Sequence, residues 1–142
     1  MILLDTNVIS ELTRPSPDPG VVAWIASVPD EGLRLSVLTL GEIRKGVDLL
    51  EAGPRRDRVE QWLHGLSRTF AERILPIDQR VVLCWGSISA RARREGHLRP
   101  PVDSLLAATA VVHGLTLATR NVGDFAGTGA VLVNPWAAGR VT

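Results

Sequence analysis

Ile2, Leu3 and Leu4 form an apolar run without polar alternation. Such a run suits a strand covered on both faces at the centre of a parallel sheet. It stops at Asp5, and Val8, Ile9 and Leu12 follow at helical spacing. A strand that feeds straight into a helix puts Asp5 at the strand's carboxyl end, where open α/β sheets bind ligands. Asp is also a favoured helix N-cap, and on this stretch alone the capping role outweighs an active site.

The remaining pattern alternates helix and strand. Pro15 to Gly20 is a turn-rich break, and Val21, Val22, Trp24, Ile25 and Val28 predict a short helix ending near Pro29. Leu33 to Val37 reads as a second strand. Thr39 then opens a long helix with Ile43, Val47 and Leu50 on one face. A further helix runs from about Arg55 to Phe70, with Val59, Trp62, Leu63 and Leu66 apolar. Ile74 to Ile77 reads as a third strand. Asp78 caps a helix through about Glu95, with Val81, Val82, Trp85, Ile88 and Ala92 inward. A loop from Gly96 to Pro101 leads into a helix from Val102 to His113, rich in small residues and ended by Gly114. Leu115 to Thr119 and Val131 to Val133 read as the last two strands. Strands separated by helices predict an α/β sandwich with a parallel sheet of about five strands.

The 142 residues suit a single domain spanning 1–142. Hydrophobic residues at 45% and charged residues at 22% match an ordinary globular chain. One cysteine, Cys84, excludes an internal disulfide framework and reads as a buried thiol. Asp5 interrupts the N-terminus too early for a secretory leader, and the apolar run from Leu105 to Val112 is too short to span a bilayer. The expectation is a reduced, cytoplasmic protein with no membrane role. Net charge is +1, but its distribution is uneven: after Asp78 the acids are Glu95, Asp103 and Asp124, against Arg80, Arg91, Arg93, Arg94, Arg99, Arg120 and Arg140.

The acids carry the chemistry. Glu42, three residues after Thr39, fits a capping box. Asp103 fits a first-turn acid that complements a helix dipole, and Asp124 a local turn. Taken together, Asp5 follows strand one, Glu42 strand two and Asp124 strand four, all at one end of a parallel sheet. Asp103 opens the helix that leads back into strand four, which brings it to the same end. Four converging carboxylates repel one another, and a hard divalent cation such as Mg²⁺ or Mn²⁺ relieves that. His64, His97 and His113 lack zinc-ligand spacing and read as structural or surface residues.

Leu4-Asp5-Thr6-Asn7, Ser36-x-x-Thr39-x-x-Glu42, Pro101-Val102-Asp103 running into Leu106-Ala107-Ala108-Thr109-Ala110, and Thr119-Arg120-Asn121-Val122-Gly123-Asp124-Phe125 stand in this order along the chain. In these pieces the sequence resembles PIN-domain ribonucleases, specifically the VapC toxins of bacterial toxin–antitoxin systems and their FitB-like branch. The resemblance runs from Ile2 to Val133. It implies a three-layer α/β/α fold, a Mg²⁺- or Mn²⁺-dependent endoribonuclease, tRNA among its candidate substrates, and neutralisation by a small VapB-like antitoxin. Asp5, Glu42, Asp103 and Asp124 match the family's acidic metal cluster. Thr6, Asn7 and Thr119 match polar positions around it. Where some relatives carry a further acid, this chain has Asn121, a departure that bears on a second tightly held metal; Thr119 or Asn121 would bond a water or phosphate.

Two rival readings remain on the sequence. A strand-end aspartate also serves phosphoryl-transfer enzymes, but the second Asp of the haloacid-dehalogenase pattern is here Asn7, and Lys45 stands far from the last strands, where a receiver needs its lysine. The other is a catalytically inactive PIN-like module that only binds RNA or protein. For RNA, Arg91, Arg93, Arg94, Arg99 and Arg120 are the expected phosphate contacts, with Arg91–Glu95 as the competing i,i+4 pair. Trp24, Val28, Trp62 and Leu66 are the expected apolar surface for an antitoxin and a homodimer.

Overall fold

The computed structural model describes residues 1–137; Arg140 lies outside them. β1 (Ile2–Leu4) runs directly into α1 (Thr6–Glu11), followed by α2 (Pro19–Ala26), β2 (Leu33–Ser36), α3 (Val37–Leu49) and α4 (Pro54–Phe70). β3 (Ile74–Leu75), α5 (Gln79–Arg94), α6 (Pro101–His113), β4 (Thr116–Ala118), α7 (Val122–Phe125) and β5 (Val131–Val133) complete the order. The five strands form one all-parallel sheet in the order β3-β2-β1-β4-β5. This is the expected α/β/α sandwich. No helix among the described residues is long and apolar enough to cross a membrane.

β1 is the central strand. Ile2 pairs with Leu33 of β2 on one side and with Thr116 of β4 on the other. Its side chains alternate between two cores. Leu4 packs with Val8, Ile43, Val47, Leu63 and Leu66 from α1, α3 and α4. Leu3 packs with Val81, Ile88, Leu106 and Phe125 from α5, α6 and α7. Both faces are covered, which is why the run Ile2-Leu3-Leu4 has no polar position. From β1 the chain builds outward to β2 and β3, then returns to place β4 and β5 on the other side. The segments after β1 and β4 therefore diverge, and a crevice opens at this switch point.

Several boundaries differ from the sequence expectation, each for a local reason. α3 starts at Val37, so Val37 belongs to the helix and not to β2. Its N-cap is Ser36, whose hydroxyl accepts from the Leu38 amide at 3.0 Å. Thr39 is fully buried in the first turn, so the Thr39–Glu42 capping box does not form and Glu42 sits one turn further on. β3 is only two residues long because Pro76, which follows it, has no amide to donate to the ladder. On α5 the buried stripe is Val81, Ile88 and Ala92; Val82 is exposed and Cys84 half-buried. The expected turn at Asp124 closes into the single helical turn α7. Gly114 ends α6 in the left-handed conformation that glycine adopts without strain.

The cap assignment has a direct consequence. Ser36→Ala removes an acceptor from a buried helix start and is expected to cost about 1 kcal/mol in urea unfolding. An unchanged midpoint would remove Ser36 as the cap of α3.

Candidate functional site

Asp5 forms the floor of the crevice. Its backbone amide donates to Ala118 O at 2.9 Å, continuing the β1–β4 pairing one residue past the strand. That register sets Asp5 beside Thr119, the residue after β4. Thr119 Oγ1 donates to Asp5 Oδ2 at 2.8 Å, and the Thr6 amide donates to Asp5 Oδ1 at 2.7 Å. Asp5 is thus the N-cap of α1, but its side chain binds the first helical amide rather than the second or third that caps usually satisfy. Its second oxygen is turned toward β4. Capping and a site role coexist in one carboxylate, which is only 8% exposed.

The other acids surround this floor at graded depth. Glu42 is exposed on α3, and Thr6 Oγ1 donates to its Oε1 at 2.7 Å. Thr39 Oγ1, fully buried, lies 3.2 Å from the same Thr6 hydroxyl. Asp103 is half-buried in the first turn of α6, and Asp124 is exposed on α7. Burial raises the Asp5 pKa most, against the lowering bonds from Thr119 and Thr6; the charges of Glu42 and Asp103 raise it further. Burial also raises Asp103, followed by the charges of Asp124 and Glu42. The four carboxylates are therefore one electrostatically connected set.

Among the described residues, no ion pair involves Asp5, Glu42, Asp103 or Asp124. Four linked acids, one of them buried and none neutralised, form a donor set that fits a hard divalent cation. No three of the described His, Cys, Asp or Glu side chains stand close enough to hold a metal ion by themselves. Such a set suits a hydrated divalent cation that keeps several waters and needs only one or two carboxylates. His64 and His97 are exposed and His113 is half-buried at the end of α6.

The remaining expected residues divide into two groups. Asn7 Oδ1 accepts from the Arg120 amide at 3.4 Å, and the Asn121 amide donates to Thr119 Oγ1 at 3.1 Å, so both border the floor. Arg93 and Arg94 are exposed and make no ion pair among the described residues. The Arg120 guanidinium lies over the Trp136 ring, 5.0 Å from its centroid. Arg91 and Arg99 are engaged on backbone carbonyls: Arg91 on Gly127 and Thr128, Arg99 on Asp124 and Ala126. The Arg91–Glu95 pair does not form among the described residues. The sequence reading missed Thr39 as the support behind Thr6; Ser36, one turn earlier and a better cap, was the available signal.

The raised pKa values make stability depend on pH. Asp5 and Asp103 bind protons more tightly in the folded state than at the ordinary carboxylate value of 3.8. Stability from these groups is therefore full near and below that value, and is lost as pH rises through their folded values. Asp103 accepts no hydrogen bond from the described residues, so Asp103→Asn removes the charge and no contact. In EDTA at pH 7 this variant is expected to unfold at higher urea than the wild type, with the gap closing toward pH 4. A variant less stable at neutral pH would contradict the repulsion.

The PIN domain family matches residues 2–129 of this chain. The toxin FitB of Neisseria gonorrhoeae is 44% identical over 140 residues, covering 96% of this chain and 99% of FitB. The VapC ribonuclease Y4jK of Sinorhizobium fredii is 40% identical over 137 residues, covering 96% of this chain and 98% of that protein. The crystal structure of FitAcB from Neisseria gonorrhoeae superposes with a TM-score of 0.90 at 42% identity, covering 96% of this chain and 99% of the solved one. With its acids gathered at the switch point of a parallel sheet and this likeness along nearly its whole length, the chain belongs to the PIN domain family.

Proposed function

We propose that this protein is a divalent-cation-dependent endoribonuclease that acts in the cytoplasm as the toxin of a toxin–antitoxin pair. The observation that carries this reading is the set of four carboxylates at the sheet's switch point, linked electrostatically and in no ion pair among the described residues. Relatives named as FitB toxin and VapC ribonuclease support it. From the set Asp5, Glu42, Asp103 and Asp124, one or two carboxylates would hold the cation, Mg²⁺ or Mn²⁺, directly and the others through its waters. A cation held there lowers the pKa of water and neutralises charge on phosphate oxygens.

The chain's own groups set the rest. Thr119 and the Thr6 amide fix both oxygens of Asp5, and the Thr6 hydroxyl fixes Glu42. Asp103 makes no side-chain hydrogen bond among the described residues and would orient the attacking water and accept its proton. The water oxygen would bond to phosphorus as the ester P–O bond breaks, and the leaving oxygen would take a proton from solvent water to depart as a hydroxyl. Asn121, exposed beside the same floor, would bond a water or a phosphate oxygen, whereas Thr119, fully buried and donating to Asp5, holds that carboxylate in place. Arg93, Arg94 and Arg120 on the adjoining surface would contact the flanking phosphates, which positions RNA without reading bases.

Partner binding has a candidate surface of its own. Leu66 is buried, while Trp24, Val28 and Trp62 are partly buried against the core, so the apolar surface is narrower than the sequence suggests. Trp62 lines a groove of about 720 Å³ with Leu12, Pro15, Val59 and three arginines. We assign this groove to the antitoxin. A second copy of the chain would cover the apolar hollow formed by Val37, Gly41, Leu49 and Val102, about 540 Å³.

Purified protein is expected to cut total RNA or tRNA with Mg²⁺ or Mn²⁺ and to stop in EDTA. Asp5→Asn should lower the rate by about 100-fold or more. Full cleavage in EDTA would end the metal reading, and RNA binding without cleavage would favour an inactive module. In a bacterial host, expression alone should arrest growth and co-expression of the neighbouring gene should restore it; harmless expression of an active nuclease would contradict the toxin role.

A further inference from the structure

α7 spans only four residues, Val122–Phe125, yet carries the exposed acid Asp124. A single turn has almost no internal hydrogen bonding to hold it. Phe125, 1% exposed, anchors one side in the core. The carbonyls on the other side are held by two arginines. Arg99 Nη1 donates to Asp124 O at 2.6 Å and Arg99 Nη2 donates to Ala126 O. Arg91 Nη2 donates to Thr128 O at 3.2 Å and to Gly127 O at 3.3 Å. Gly127 is part of the fit: its φ is +81°, and a Cβ there would stand 3.3 Å from Arg99 Nη2. The arginine fork is thus placed against a turn that leaves room for it.

We infer that Arg99 is a positioning residue: its two-pronged grip on the Asp124 and Ala126 carbonyls fixes the Asp124 carboxylate within the acid set. The inference rests on the nuclease reading for the purpose of that set. It also changes what Arg99 does, from a phosphate contact to a brace. A planar fork satisfies two carbonyls at once, whereas the lysine ammonium is a point charge on a flexible stem. Geometry and charge are therefore separable by substitution. Losing a group that orients a metal-binding carboxylate costs about 10- to 100-fold in metal affinity or activity.

The test compares wild type, Arg99→Lys and Arg99→Gln. Mn²⁺ binding to metal-free protein is followed by electron paramagnetic resonance, RNA binding in EDTA by its salt dependence, and cleavage by kcat and KM. The expected result is that both variants bind Mn²⁺ about 10- to 100-fold more weakly. Their kcat falls in parallel, while KM and the salt slope stay at the wild-type values. Arg99→Lys indistinguishable from wild type in Mn²⁺ affinity would overturn the brace. So would an unchanged Mn²⁺ affinity with a salt slope reduced by about one unit, the signature of a lost phosphate contact. Because Arg99→Lys keeps the charge and most of the side chain, it serves if Arg99→Gln fails to fold. The Mn²⁺ titration reads the brace whether or not the wild type cuts RNA, so failure of the nuclease reading is separately visible.

Discussion

The buried carboxylate of Asp5 is the constraint around which this fold is arranged. A charge at the end of the central strand costs free energy unless hydrogen bonds and an opposite charge compensate it. The protein supplies the hydrogen bonds, from Thr119 Oγ1 and the Thr6 amide, and among the described residues no ion pair reaches Asp5. Burial and two neighbouring acids therefore leave the Asp5 pKa raised. An apolar residue here would leave the Thr6 amide and the buried Thr119 hydroxyl without an acceptor, so the local structure requires a polar group at this position.

The sheet delivers the acids through direct strand-to-helix junctions. β1 passes into α1 through Asp5 alone, and β2 passes into α3 with Ser36 as both last strand residue and cap. Short junctions leave little freedom, so register in the sheet becomes position in the site. The pairing of Leu4 with Ala118 sets Asp5 beside Thr119, and the start of α3 at Val37 turns Glu42 toward Thr6. Asp124 differs because it rides on a one-turn helix, and the arginines from α5 and the loop after it replace the missing backbone support.

Much of this was legible in the sequence. An apolar run ending at an acid identified the central strand, because burial on both faces removes the polar alternation. The order of acids after strands identified the convergence, because parallel crossovers keep every strand pointing one way. What escaped lay in choices between nearby equivalents. Ser36 and Thr39 are both good caps, and only the extended backbone at Ser36 decides between them. Arg91 and Arg99 read as phosphate ligands because sequence shows their charge and not the carbonyls of Asp124, Ala126, Gly127 and Thr128 that take up their donors. The hydroxyl pair Thr6 and Thr39 lies 33 positions apart and becomes visible only when α1 and α3 pack together.

Under the proposed function, these four acids are held against their own repulsion in order to bind a divalent cation. Anomalous diffraction from crystals equilibrated with Mn²⁺ tests it most directly. The account predicts a Mn²⁺ peak in the crevice bordered by Asp5, Glu42, Asp103 and Asp124, lost in Asp5→Asn crystals. A crevice without a peak, in crystals whose protein binds Mn²⁺ elsewhere, would contradict it.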